Sequence, residues 1–275
     1  MRGRLKIIIK LSLCWVVTLS ACEKVVIVNL ETAAPRLVVE ANIKWVKGTS
    51  GNVQKIRLSK TIAYYDSQSA PVNNAEDVTI KNNEGRIFNF VAANNEGEYV
   101  CVDFVPRLGE KYELNIIYEG KIYAASEQLM DCPGISEVNQ DNNGGFTKDQ
   151  MEVIMFYKDS PVMENQYMIT FNNPYKTIPI ISVAEDKFYS GVQMSASIIE
   201  EQLKKGDKVN VHLEGISKPY YNYMRLMLQN AAGANPFQAV AANAKGNIYN
   251  NGLVSEYALG YFRLSESDVI EYIIK

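Results

Sequence analysis

Cys22 is the residue whose chemistry the sequence constrains most closely, because of the three residues that precede it. Leu19 is apolar, and Ser20 and Ala21 are small. Small side chains let a processing protease approach the backbone, and the thiol that follows them can take a thioether-linked lipid. The spacing therefore predicts that the chain is cut before Cys22 and that the sulfur of this residue carries acyl chains.

The residues ahead of Cys22 have the composition of a secretory signal peptide. They contain no acidic residue, and their apolar run is shorter than the about 20 residues that span a bilayer. The pattern resembles the bacterial lipobox, in which the cysteine is diacylglycerylated and becomes the new amino terminus. We therefore assign residues 1–21 to a lipoprotein signal peptide and residues 22–35 to a tether. In the alternative, an ordinary signal peptide is removed and Cys22 takes no part.

The body that follows is acidic. The formal charge of the chain is −3, and loss of the four basic residues of the signal peptide lowers it to −7. Such a body lacks the basic surface that phosphate backbones require, so we expect no nucleic acid partner. A hydrophobic content of 47% with 17 tyrosines is typical of a folded, β-rich protein with one large or two ordinary domains.

Two cysteines remain outside the signal peptide and the lipobox. Cys101 and Cys132 could form a disulfide in an oxidising envelope, closing a loop of about 30 residues. In the alternative, Cys101 is a small strand residue with a free thiol.

The residues that could serve catalysis or bind a metal are few. His212 is the only histidine, and we expect it to face solvent on a strand that also carries Asn210 and Glu214. Zinc sites need several histidine or cysteine ligands. The polar segment 141–145 has oxygen ligands for calcium but is better explained as a turn. Glycosidase chemistry needs two carboxyl groups ~5 to 10 Å apart, a spacing that the sequence does not show for Glu200, Glu201 or Asp66. We expect no catalytic residues, no metal and no cofactor.

The pattern of the chain from residue 36 is that of short strands and tight turns. Strands are predicted at residues 37–46, 53–61, 77–82, 87–92, 98–103, 111–118 and 121–126. The phrase Asn-Asn-Glu-Gly occurs at residues 82–85 and again at 94–97, and Tyr118-Glu119-Gly120-Lys121 makes a third turn. These features predict an all-β protein whose first domain, residues 36–130, is an immunoglobulin-like or transthyretin-like β-sandwich.

A second β-sandwich domain is predicted for residues 131–275, with one helix at about residues 217–232. Its strands are predicted at residues 151–157, 166–171, 178–183, 208–213, 256–264 and 269–274. Ser217 is a suitable N-cap, and apolar residues recur at helical spacing from Tyr220 to Leu228. We expect this helix to cover an otherwise exposed sheet face, and a ligand groove is the alternative. Tyr257 and Tyr261 are among the tyrosines suited to interfaces or to stacking on sugars.

The order of these features is similar to a family of Bacteroidetes outer-membrane lipoproteins named DUF4249. The resemblance implies two β domains and genes placed beside those of TonB-dependent transporters, and it carries no established catalytic residues. The chain departs from the family at residues 26–29, where an early acidic residue is missing. The matching phrases are Cys22-Glu23-Lys24-Val25-Val26, Pro35-Arg36-Leu37-Val38-Val39-Glu40-Ala41, Ile56-Arg57-Leu58-Ser59-Lys60-Thr61, Tyr64-Tyr65-Asp66, Gly109-Glu110-Lys111-Tyr112-Glu113-Leu114, Lys121-Ile122-Tyr123-Ala124-Ala125, Ser217-Lys218-Pro219-Tyr220-Tyr221 and Gly260-Tyr261-Phe262.

Together these observations predict a non-enzymatic lipoprotein held at the outer membrane, on its cell-surface or periplasmic face, by lipid on Cys22. Its expected role is that of an accessory or ligand-capture subunit of a TonB-dependent transporter. An envelope hydrolase acting on glycan or peptide is one alternative, and an adhesin-like structural module is another.

Overall fold

The first strand shows why this sequence forms sheets. Leu37, Val39, Ala41 and Ile43 are buried, while the residues between them are half-buried or exposed. This period of two places every apolar side chain on one face of an extended chain. The strand was predicted with the same bounds, residues 37–46.

The computed structural model describes residues 34–62, 70–145, 148–160, 164–186, 191–232, 244–253 and 256–275. The predicted signal peptide, the lipobox and the tether up to residue 33 lie outside the described residues, and so do Tyr64, Tyr65 and Asp66. Residues 35–275 form one compact unit. The described strands are β1 (Leu37–Val46), β2 (Gln54–Lys60), β3 (Ala70–Pro71), β4 (Asp77–Asn82), β5 (Ile87–Asn89), β6 (Val91–Ala92), β7 (Glu98–Cys101), β8 (Lys111–Tyr118), β9 (Lys121–Met130), β10 (Ile135–Gly144), β11 (Gln150–Lys158), β12 (Gln166–Asn172), β13 (Ile180–Glu185), β14 (Gln193–Ile199), β15 (Lys208–Ile216), β16 (Tyr249–Asn250) and β17 (Leu259–Ile273).

A first sandwich is built mainly from the amino-terminal strands. One layer has the order β17-β1-β2-β7-β6, and the other has the order β5-β4-β8-β9 with β16 paired to β9. The two layers are joined at one edge, where β9 pairs in parallel with β17 and Leu129 lies opposite Leu264. The inner faces share a core that includes Val39, Ile56, Ile80, Leu114 and Phe262. This is the sandwich architecture predicted for residues 36–130, with added strands from the carboxyl-terminal end of the chain.

A second sandwich follows Met130. Its layers are β13-β12-β15-β17 and β10-β11-β14, and its separate core includes Met155, Tyr167, Val211 and Leu213. The all-β sandwich fold is thus confirmed. The boundary at residues 130/131 stays a prediction, because the two cores share a strand.

That shared strand is β17. Its first part pairs in parallel with β1, from Leu259 opposite Val38 to Ser267 opposite Val46. Its later part pairs antiparallel with β15, from Ser267 opposite Glu214 to Ile273 opposite Lys208. The sequence predicted two shorter strands here, and the structure replaces them with one that runs through both sandwiches.

The helix α1 (Lys218–Ala231) lies where it was predicted. Ser217 is its N-cap, since the hydroxyl accepts a hydrogen bond from the backbone N–H of Tyr220 at 3.3 Å. Tyr220 packs with Met168, Ile216 and Tyr261 in a third cluster. The helix therefore covers a sheet face, as predicted.

Two strands of the second sandwich depart from the sequence analysis. β10 continues to Gly144, through most of the polar segment that we interpreted as a turn, because β11 supplies backbone partners and the strand bulges between Asp141 and Gly144. Strand β14 was not predicted, because six of its seven residues are exposed or half-buried and only Ile198 is buried.

Candidate functional site

The most distinctive surface lies at the end of the first sandwich where the tether joins the body. Arg36 precedes β1, and its backbone N–H donates to Thr61 Oγ1 at 2.9 Å, while the Thr61 N–H donates to the Arg36 carbonyl at 2.9 Å. The adjacent Lys60 Nζ lies 2.7 Å from Oε1 of Glu119, in the β8–β9 turn. We call this end, comprising residues 34–36, 60–62, 118–122 and 249–257 as far as they are described, the tether end.

The β8–β9 turn is shaped by two residues with positive φ. Glu119 has φ 51° and Gly120 has φ 66°, the combination that a two-residue turn needs to match strand twist. Glu119 is held in place by Lys60 and by the hydroxyl of Tyr118, and both hydrogen bonds lower the pKa of its carboxyl. The sequence predicted this turn, and the structure shows that it forms one wall of a pocket.

The pocket has a volume of about 380 Å³ and is open to solvent. Strand β16 pairs with β9, with Tyr249 opposite Ala124, so that the segment after Asn250 faces the β8–β9 turn. An ion pair joins the two sides, because Lys121 Nζ lies 2.6 Å from Oε2 of Glu256. The hydrogen bond to Glu256 raises the pKa of Lys121. The lining residues are Gly120, Lys121, Ile122, Asn250, Asn251, Gly252, Leu253 and Glu256.

Large apolar side chains are exposed at the tether end. Ile62, Ile122, Tyr249 and Leu253 are 43%, 41%, 51% and 57% exposed. Ile122 and Tyr249 lie on one face of the β9–β16 pair, because Tyr249 is opposite Ala124 and side chains two residues apart share a face. The tether end thus exposes apolar side chains on both sides of an ion-paired pocket.

Tyr257 is the centre of a cationic group at the same end. The guanidinium of Arg36 lies 4.7 Å from the centroid of its ring, and the ammonium of Lys245 lies 4.3 Å from it. Both distances are within the range of cation–π attraction. Neither cation makes an ion pair with another described residue. The two cations can bind an anionic group beside the half-buried ring of Tyr257.

A buried polar network lies elsewhere, under the helix. Arg263 is 4% exposed, and its Nη1 donates to Glu214 at 2.5 Å and to Ser265 Oγ at 2.9 Å. Its Nε donates to Asn42 Oδ1 at 2.9 Å, and its guanidinium lies 5.0 Å from the ring centroid of Tyr220. The network links β1, β15, β17 and the helix, so it stabilises the packing of these elements against one another.

A pair of acidic residues is buried in the second sandwich. Asp159 and Asp186 are each 2% exposed, and the hydroxyl of Tyr167 donates to Asp159 Oδ1 at 2.5 Å. The backbone N–H of Asn165 donates to Asp186 Oδ1 at 2.8 Å. Burial, together with a hydrogen bond to Asp159, raises the pKa of Asp186. The raised pKa favours the neutral form of Asp186, which reduces like-charge repulsion with Asp159.

The two cysteines of the body are free thiols in separate cores. Cys101 is in the first core and its Sγ donates to Asp103 at 3.2 Å, whereas Cys132 is in the second core and its Sγ donates to the Leu213 carbonyl at 3.2 Å. The disulfide that the sequence left open is therefore not formed in this structure. Burial raises the pKa of Cys101 to about 11 and that of Cys132 to about 12.

The other predicted site residues are not brought together. Glu200 pairs with Lys176 at 3.0 Å, and Glu201 accepts from Gln150 at 2.5 Å. His212 is half-buried, and Glu214, which was expected beside it on a solvent face, is 0% exposed because it pairs with the buried Arg263. Among the described residues no three histidine, cysteine or carboxylate side chains are grouped to hold a metal ion.

The tether-end pocket, the Arg263 network and the carboxyl pair were not found from the sequence, because each joins residues that are distant in the chain. One signal was present: an arginine stands within the apolar phrase Tyr261–Leu264, where a buried charge needs a partner.

Comparison with known proteins identifies a family. The model of a family described as "Domain of unknown function (DUF4249)" matches residues 23–270. No curated protein sequence matches the chain. No helix in the part of the chain that the structure describes has the length and hydropathy of a membrane span.

Solved structures that resemble the chain are β-rich proteins of low identity. A two-domain fibronectin type-III segment of chicken tenascin is 10% identical, with a TM-score of 0.22 over 66% of this chain and 90% of that one. The BSP domain of a biofilm-associated protein is 12% identical, with a TM-score of 0.25 over 66% and 26%. A DUF4785 family protein from Legionella pneumophila is 11% identical, with a TM-score of 0.24 over 68% and 52%.

Proposed function

Since the chain belongs to the DUF4249 family, we propose that it is a lipid-anchored outer-membrane lipoprotein that acts as a non-enzymatic accessory or ligand-capture subunit of a TonB-dependent transporter. The observation that carries the proposal is the run Leu19-Ser20-Ala21-Cys22 directly ahead of the tether. The partner is proposed from the resemblance to the family.

The physics of the anchor supports this role. Each buried methylene of an acyl chain contributes about 0.8 kcal/mol, so two or more chains on one residue hold a water-soluble body stably at a membrane. The 13 residues from Cys22 to Ala34 reach about 45 Å when fully extended. The body can therefore work beside a transporter embedded in the same membrane.

The anchor is tested by replacing Cys22 with serine in the full chain and following the protein through cell fractionation with labelled fatty acid. We expect the wild-type chain in the envelope fraction with label attached, and the variant without label and released from the membrane. Cys14→Ser is the matched control, because it removes a thiol inside the signal peptide and leaves Cys22. Retention of label by Cys22→Ser would overturn the anchor.

The partnership is tested separately by purifying a tagged chain from membranes in mild detergent. We expect a TonB-dependent transporter to follow the wild-type chain and to be depleted with Cys22→Ser. If no transporter follows a chain that is shown to be lipidated, the accessory role is wrong and the anchor stands.

A further inference from the structure

We propose that the tether end is a membrane-docking surface: it rests on the headgroup layer of the bilayer that holds the anchor, with Ile122, Tyr249 and Leu253 inserted among the lipids and Arg36 and Lys245 placed at their phosphates. The inference deepens the proposed function and rests on its lipid anchor. The binding partner proposed for this surface is a phospholipid bilayer.

Connectivity is the first argument. The tether joins the body at Ala34 and Pro35, and Arg36 is already bonded to Thr61 within the tether end. The 13 residues from Cys22 to Ala34 allow at most about 45 Å between the lipid and the start of the body. The lipid on Cys22 therefore keeps this end, rather than the far end of the sandwich, at a high effective concentration near the bilayer, and individually weak contacts are then sufficient.

The chemistry of the side chains is the second argument. Tyrosine is suited to a membrane interface because its ring is apolar and its hydroxyl is polar, and Tyr249 is half exposed beside Ile122. Lysine and arginine can bury their stems in an apolar layer while their charged groups reach phosphates. Arg36 and Lys245 are available for this, since both lie over Tyr257 and neither is ion-paired within the described residues.

The opposite end of the first sandwich supplies a control. Strand β8 runs from Lys111 to Tyr118, so Leu108, just before its start, lies at the far end from the β8–β9 turn. Leu108 is 47% exposed, which is close to the exposure of Ile122 at 41%. A probe at Leu108 and a probe at Ile122 therefore mark opposite ends of the first sandwich, while their exposure to solvent is similar.

The experiment places a nitroxide on single introduced cysteines in the purified full chain, reconstituted in vesicles of phosphatidylethanolamine and phosphatidylglycerol. The variants are Ile122→Cys, Leu253→Cys and the control Leu108→Cys. Native thiols do not interfere: Cys101 and Cys132 are 1% and 4% exposed, and Cys22 is blocked by its lipid. Unsubstituted chain measures any background labelling.

Power saturation in the presence of dissolved oxygen or a water-soluble nickel complex gives the result. We expect labels at 122 and 253 to lose nickel accessibility and gain oxygen accessibility relative to the label at 108. Equal nickel accessibility at all three positions in chains that float with the vesicles would overturn the docking while leaving the anchor intact. Protection from both reagents at 122 and 253 would mean that a second copy of the chain covers this end, which also overturns it.

A failure of the proposed function is recognised independently, since a chain without lipid does not float with the vesicles at all. Two probe positions keep the test decisive if one variant does not fold.

Discussion

Replacing Arg263 with methionine should destabilise the protein by about 3 kcal/mol, because it leaves a buried carboxylate without its closest cation. Glu214 is 0% exposed and lies 2.5 Å from Arg263. Breaking such a pair from one side costs about 3–5 kcal/mol. The lower end applies because Lys44 remains 2.7 Å from Glu214, although its side chain is 42% exposed. The hydrogen bonds to Asn42 and Ser265 are lost as well.

The destabilisation should depend on pH with a defined sign. Burial favours a raised pKa for Glu214, but the charges of Arg263 and Lys44 outweigh it and lower the pKa in the native protein. The wild-type carboxylate therefore contributes stability above its unfolded pKa, and this contribution is lost as the pH falls through the lowered pKa. In the variant, burial dominates and the pKa rises. The difference in free energy of unfolding between the two proteins is thus largest near neutral pH, and it narrows as the pH falls from the raised pKa of the variant to the lowered pKa of the wild type.

Urea denaturation of chains that carry Cys22→Ser measures this effect as a change in the free energy of unfolding. Arg263→Met combined with Glu214→Met should recover more than half of the loss, since apolar residues of similar volume replace a buried pair at little cost. Arg86→Met is the matched control, because its ion pair with Asp103 is exposed and should contribute less than about 1 kcal/mol. A variant at Arg263 within about 1 kcal/mol of wild type, or a double variant no more stable than the single one, would refute the reasoning.

Two further predictions follow from the geometry. Gly215→Ala should destabilise the fold by at least about 3 kcal/mol in the same denaturation assay, because a Cβ there would lie 1.8 Å from the Asp131 carbonyl oxygen. Gly120→Ala is the control and should cost about 1 kcal/mol, because Gly120 has open space around it but a positive φ. Equal losses of stability in the two variants would contradict this. Burial, and then the charge of Lys44, lower the pKa of His212. An NMR titration should therefore give His212 a midpoint below 6.5 in the wild-type protein and a higher midpoint in Lys44→Gln. This neutral imidazole contributes stability that is lost as the pH falls from 6.5 through the lowered pKa, and a midpoint at or above 6.5 would count against it.

The sequence predicted the strands whose signal is local. Strands β1, β4 and β8 begin and end where alternation predicted, because a period of two is written into consecutive residues. Strand pairing is not local. Nothing near Leu259 indicates that it lies in parallel with Val38. Likewise, the polar composition of residues 141–144 predicts a turn. In the structure these residues continue β10, because β11 supplies backbone hydrogen bonds.

The residues of the candidate site also differ in whether the signal for them is local in the sequence. The lipid site at Cys22 could be predicted from the sequence, because a processing signal is a linear pattern; it lies outside the described residues and stays a prediction. The tether-end pocket could not be predicted, because Ile122 and Leu253 meet only after β16 pairs with β9. The sequence predicted the turn at Glu119 and Gly120, but only the structure shows that this turn forms one wall of the pocket.

The use of β17 by both sandwiches has a consequence for the export that we propose. Asn42 and Arg263 bond across a separation of 221 residues, so neither sandwich closes until the last strand is available. Contacts of such separation form slowly because a long loop must first be closed. On the route of export that we propose, a chain that enters a secretion channel with its amino terminus first stays unfolded until β17 has been delivered, and passage through a narrow channel requires that state.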